Sequence, residues 1–115
     1  MINTNKFIVG VPDSKLNKWL EGKEYMIATN EAEAVAIATG HYLATKQRAT
    51  VFMSADGFCN ALNPLTSLVI PYQIEIDFVI GMRTDEPQHI VMGEKVADIF
   101  HLLEKGISSY NYLLL

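Results

Sequence analysis

The chain has 115 residues, enough for one domain with a single core. Half of them are apolar and 19% are charged, which excludes a disordered chain. A formal charge of −4 with nine scattered Lys and Arg argues against nucleic acid as a partner, and no apolar run approaches the roughly 20 residues of a membrane span. The N-terminus has no basic segment followed by a long apolar region, so no signal peptide is expected. Cys59 is the only cysteine. An internal disulfide is therefore impossible, and a reducing cytoplasm is the expected compartment.

In chain order, the apolar run at 7–9, stopped by Gly10 and Pro12, predicts a buried strand. Asp13 or Ser14 then caps a helix to about residue 21, with Leu16, Trp19 and Leu20 at helical spacing. Residues 25–28 form a second strand and 30–45 a second, alanine-rich helix. Asn30 is its cap and Glu33 completes a capping box. A closing role for Gly40 is expected within it. Residues 50–53 form a third strand. A helix over 57–69 follows, interrupted near Pro64 or starting only at Asn63. Residues 74–80 begin with alternation and end in an apolar run, a fourth strand more exposed at its start than at its finish. A helix at 91–105, ended by Gly106, and a fifth strand at 110–115 complete the chain. Strands alternating with helices predict a three-layer α/β/α fold with a mostly parallel, flavodoxin-like sheet. The last strand is left exposed at its end or at a sheet edge.

The segment Ala28-Thr29-Asn30-Glu31-Ala32-Glu33 places a carboxylate, Glu31, in the first turn of a helix just after a strand. Local backbone chemistry does not require it there. This segment, with the alanine-rich helix behind it, resembles the pyrimidine-binding module of thiamine-diphosphate-dependent 2-oxo acid decarboxylases. Four further segments fall in matching order: Gly10-Val11-Pro12-Asp13-Ser14, Gly40-His41-Tyr42-Leu43-Ala44-Thr45, Asn60-Ala61-Leu62-Asn63-Pro64-Leu65-Thr66-Ser67-Leu68 and Asp85-Glu86-Pro87-Gln88-His89. The last two are most similar to phosphonopyruvate decarboxylases, with sulfopyruvate decarboxylase α subunits a more distant likeness.

The resemblance implies a pyrimidine-binding domain over residues 1–115, truncated at the C-terminus, with the diphosphate- and Mg²⁺-binding domain absent. No Gly-Asp-Gly with downstream Asn-Asn occurs. Thiamine diphosphate would therefore be shared with a diphosphate-binding partner subunit, and Mg²⁺ would be bound only through that partner. Self-association and a small anionic 2-oxo acid substrate are expected with it. The likeness also has departures. Where the family has Gln-Asn-Ser-Gly-Leu-Gly-Asn, this chain reads Ser54-Ala55-Asp56-Gly57-Phe58-Cys59-Asn60. The stretch between Gly81 and Asp85 is also short.

The resemblance assigns Glu31 as the carboxyl that hydrogen-bonds the aminopyrimidine ring, against the plain alternative of a carboxylate favoured by the helix dipole. It makes Asp13 a substrate-facing carboxylate, whereas any Asp there would also serve as an N-cap. It makes His89 a proton-transfer group, since imidazole titrates near neutrality; the alternative is a surface-loop histidine. Asn60 and Pro12 are candidate cofactor contacts and Arg83 a candidate for the substrate's anionic group. No spacing suggests a metal site. Two rival expectations are a non-catalytic scaffold or interaction module descended from that domain and an unrelated flavodoxin-like binding domain. The latter predicts that the matching segments do not converge.

Overall fold

Short apolar runs punctuated by Gly, Pro and Asn become five strands of one parallel sheet. The structure, a computed structural model, describes residues 5–104 and 110–115. The strands are β1 (Phe7–Gly10), β2 (Met26–Ile27), β3 (Ala49–Ser54), β4 (Ile76–Gly81) and β5 (Tyr110–Leu114), in the order β2-β1-β3-β4-β5. Every pairing is parallel. This is the expected α/β, flavodoxin-like sheet, with β5 at an edge.

Strand alternation feeds two cores. On one face Val9, Val51, Met53, Phe78 and Ile80 meet α2 (Glu31–Thr45), α3 (Phe58–Pro64) and α4 (Pro87–Leu103). Small residues on α2, namely Ala34 and Ala38, let that helix lie close to the sheet. Phe100 of α4 stacks on Tyr112 of β5 at 4.2 Å and meets Phe58 of α3 at 4.6 Å and Phe78 of β4 at 5.9 Å, so one buried ring ties four elements together. The other face is thinner. There Ile8, Phe52 and Val79 pack against Leu16 and Leu20. These two belong to a 3-10 turn (Ser14–Leu16) and the short α1 (Asn17–Leu20).

Several expected boundaries move. Gly40 does not close α2: it lies exposed in mid-helix, and the helix ends at Lys46 in the left-handed region (φ 61°). α3 starts at Phe58, not Asn63, and passes Pro64 by changing to a π-helix at Leu65–Val69. α4 starts four residues before the expected Val91, because Pro87 at the first helical position has its φ already set. The expected stop at Gly106 lies outside the described residues. β2 has only two residues, both exposed, as an edge strand without a covering helix.

β4 itself is buried throughout, and the expected exposure at the start of the 74–80 run is confined to Glu75, one residue before the strand. Its Asp77 is 2% exposed and is saturated with donors. Arg48 Nη2 lies 2.9 Å from Oδ1, Asn111 donates to Oδ1 at 2.8 Å and Asn5 to Oδ2 at 2.7 Å. Burial alone would push the Asp77 carboxyl up. The hydrogen bonds from Arg48, Asn111 and Asn5, with the guanidinium charge, outweigh it and hold the group below its ordinary value.

A depressed folded-state value means stability that is present above the unfolded value, near 4, and is lost as pH falls through the folded one. Asp77→Asn is expected to cost about 3 kcal/mol at pH 7, the lower end for breaking a buried pair, because Arg48 keeps Glu75 at 2.8 Å. Urea unfolding at pH 7 and below pH 4 checks this. The gap between wild type and variant should shrink in acid, and an unchanged gap would show that the charge of Asp77 contributes nothing.

Candidate active site

Parallel strands deliver every βα turn to one rim of the sheet, so residues far apart in sequence meet there. The turn after β2 brings Asn30 and Glu31. Asn30 Oδ1 accepts from the Glu33 N–H at 2.9 Å, and Glu33 Oε1 accepts from the Thr29 N–H at 2.7 Å, so both caps are in place without Glu31. Glu31 is nonetheless only 9% exposed. Its Oε1 accepts from Asn60 Nδ2 at 2.9 Å. Among the described residues no hydrogen bond reaches Oε2, which lies against Gly57. A Cβ on residue 57 would overlap the Glu31 carboxylate, so glycine is required for this packing.

A second group lies along the same rim. Asp13, after β1, accepts from the Lys15 N–H at 3.1 Å and caps the following turn. The same carboxylate sits 3.5 Å from Arg83 Nη1, so the capping residue also stands on the rim. Arg83 Nη2 binds Glu86 Oε1 at 2.9 Å. Glu86 Oε2 accepts from Gln88 Nε2 at 2.7 Å and stands 3.8 Å from His89 Nε2. His89 Nδ1 pairs with Asp56. His89 is on the first turns of α4 rather than in a loop, in line with Gly93, Val96 and Phe100 on the inward face. Gly93 lets that helix approach the Arg83 carbonyl and the Thr84 side chain, which a Cβ would strike.

Four of the five matching segments therefore meet on this rim, contrary to the unrelated-domain expectation, while the segment at 40–45 lies at the opposite end of the sheet, where His41 stacks on Phe7 and Tyr42 donates to Glu75. Glu31 with Asn60 makes one cluster; Asp13, Arg83 and His89 make the other; the turn at 55–57 touches both. Arg83 is already flanked by two carboxylates. Pro12 is exposed and lines a shallow recess of about 410 Å³ with Asn17, Leu20, Glu21, Gly22, Lys23 and Tyr25, apart from Glu31. Cys59 is exposed, with its Sγ 3.6 Å from Met92 Sδ. His41 stacks on Phe7 at 4.3 Å and His101 lies on the surface. Sequence reasoning singled out neither Asp56 nor Gly57 as a functional position. The signal available was their place in the one altered segment next to a kept Asn60. Among the described residues no group of three His, Cys, Asp or Glu side chains is arranged to hold a metal ion, and no helix is long and apolar enough to cross a membrane.

No family model matches the chain. The phosphonopyruvate decarboxylases of Streptomyces hygroscopicus and Streptomyces viridochromogenes are each 32% identical over 108 aligned positions, covering 84% of this chain and 27% of theirs. The sulfopyruvate decarboxylase α subunit of Methanocaldococcus jannaschii is 36% identical over 106 positions, covering 81% of this chain and 62% of that subunit. The chain is homologous to these decarboxylases. The chain spans about a quarter of the length of the Streptomyces relatives. A solved structure from Mycobacterium smegmatis, provisionally assigned as a thiamin diphosphate-dependent enzyme, shares the fold. It has a TM-score of 0.70 and 20% identity, over 95% of this chain and 27% of its own.

The group in the way of a residue-57 Cβ is a side chain that can turn. Gly57→Ala should therefore cost only about 1 kcal/mol, the low end of overpacking, while expelling the Glu31 carboxylate from its Asn60 hydrogen bond. Thermal denaturation together with a crystal structure of the variant checks both. A Glu31 side chain that stays in place would show that the turn has slack.

Proposed function

We propose that this chain is the pyrimidine-binding part of a thiamine-diphosphate-dependent decarboxylase. Its substrate would be phosphonopyruvate, sulfopyruvate or a similar anionic 2-oxo acid. The observation that carries this is Glu31: a buried carboxylate at the sheet's ligand-binding rim, half-satisfied by Asn60, with one oxygen open among the described residues. A buried carboxylate oxygen without a partner fits a ring nitrogen as its missing hydrogen-bond partner. Homology to decarboxylases supports the reaction class. The diphosphate and Mg²⁺ contacts are assigned to a partner chain, for which the "subunit alpha" of the sulfopyruvate relative is the precedent. Self-association into a higher assembly belongs to the same proposal.

When bound, thiamine diphosphate supplies the electron sink for the electrons released with CO₂. The protein's share is orientation and proton control. Asn60 fixes the rotamer of Glu31 through Oε1, leaving Oε2 to hold or share a proton with the pyrimidine. His89, on the same rim, presents Nε2 for proton transfer to the product carbon. Asp13 holds Arg83 at the rim, and an anionic substrate group would reach that guanidinium by displacing one of its two carboxylates.

A non-catalytic interaction module is the second reading. It is favoured by Arg83, which Asp13 and Glu86 already neutralise. Isolation of the native complex, followed by CO₂ release from each 2-oxo acid, separates the two. Under the catalytic reading Glu31→Gln in the reconstituted complex lowers turnover by about 10²–10⁴-fold with the fold intact, the range for a lost acid–base group. Turnover that survives the exchange removes Glu31 from the mechanism, and a stable complex with no CO₂ release supports the interaction module.

A further inference from the structure

The side chain of Asp56 has no part in the Glu31 cluster, yet it comes from the same turn. That turn is firmly held: the Ala55 N–H donates to the Gly81 carbonyl at 2.9 Å and the Gly57 N–H to Ser54 Oγ at 3.1 Å. Gly57 faces Glu31 while Asp56 turns the other way and meets His89 Nδ1. A carboxylate only accepts, so the shared proton lies on Nδ1 when the imidazole is neutral. The opposite nitrogen, Nε2, has no hydrogen bond among the described residues. The nearest group, Glu86 Oε2 at 3.8 Å, is too far for one and is occupied by Gln88.

We propose that Asp56 is a positioning residue for His89: it locks the ring through Nδ1–H and leaves Nε2 as the nitrogen that takes up and gives back the proton. This rests on the proposed role of His89 in the decarboxylase. A proton arriving at Nε2 makes an imidazolium whose charge is balanced by Asp56 and, more distantly, by Glu86. Its departure to the product carbon restores the neutral Nδ1–H form, so the ring is unchanged over a cycle. Which nitrogen carries the proton is set by the hydrogen bond the other makes, and the same pairing fixes the angle of the ring.

Nitrogen-15 NMR of the isolated chain, recorded above the titration midpoint of His89, reads the tautomer without cofactor or partner. Wild type should show His89 with Nδ1 protonated and Nε2 bare. Asp56→Ala should reverse this, and Asp56→Asn, which keeps an acceptor oxygen, should restore it; His41 and His101 should not move. A wild-type His89 protonated on Nε2, or an Nδ1–H form that survives in Asp56→Ala, overturns the proposal. The wild-type spectrum decides even if a variant fails to fold. In the reconstituted decarboxylase, Asp56→Ala should lower kcat about tenfold with KM within about twofold, the signature of a proton-transfer group held out of line. An unchanged kcat overturns the positioning role while leaving the Glu31 assignment standing. An inactive wild-type complex overturns the decarboxylase reading, and the NMR result still decides the Asp56 pairing.

Discussion

All five strands point the same way, and a parallel pair cannot be closed by a tight turn. Each strand must be followed by a crossover that carries the chain back. Every residue that leaves a strand at its carboxyl end is therefore placed on one rim, whatever its distance in sequence. Asp13, Glu31, Asp56 and Arg83 follow β1, β2, β3 and β4 in turn. The order β2-β1-β3-β4-β5 reverses direction between β1 and β3, the point at which such sheets open a crevice for ligands. Asp13 and Asp56 stand on either side of that point. The chemistry of the rim is thus a consequence of strand direction before it is a matter of any single side chain.

The two ends of the sheet handle buried carboxylates in opposite ways. Asp77 is surrounded by Arg48, Asn5 and Asn111, and a charge with that many donors is a stable plug for the end of the sheet away from the rim. Glu31 is nearly as buried but holds one donor, Asn60. Burying a carboxylate oxygen without a partner costs on the order of 1–3 kcal/mol, more for a charged group. A fold that can saturate Asp77 had the means to saturate Glu31. Its open oxygen is the observation from which the proposed contact with an external partner is argued.

Much of this was legible in the sequence because it depends on local rules. Apolar runs, caps and glycine breaks gave five strands and the helices between them, and the Asn30–Glu33 cap behaved as its spacing implies. What was not legible depends on tertiary contacts. Gly40 carries the sequence signature of a helix end, but nothing crowds it, and the ladder simply continues. The alternation at the start of β4 looks like exposure, yet Asp77 is buried by donors drawn from positions 5, 48 and 111. Met26 and Ile27 are apolar yet exposed, because only neighbouring elements decide whether an edge is covered. The shared place of Glu31, Asp13 and His89 on one rim was legible through a resemblance. The pairing of His89 with Asp56 was not, since only the fold brings residues 33 positions apart together.

The altered segment from Ser54 to Asn60 shows how such a site can change without collapsing. Two of its positions match the pattern it resembles, Gly57 and Asn60, and these are the two that touch Glu31: one has no room for a Cβ while the carboxylate is in place and the other supplies the hydrogen bond. The altered positions face elsewhere. Ser54 accepts the Gly57 N–H, Ala55 is buried, Phe58 packs on Phe100, and Cys59 lies outside against Met92. Asp56 alone among the altered positions reaches another candidate catalytic group. The turn is thus under geometric constraint on its Glu31 side and free to vary on its other side. Asp56 places a charge at that boundary, where it acts on proton position at His89 without disturbing the carboxylate next door.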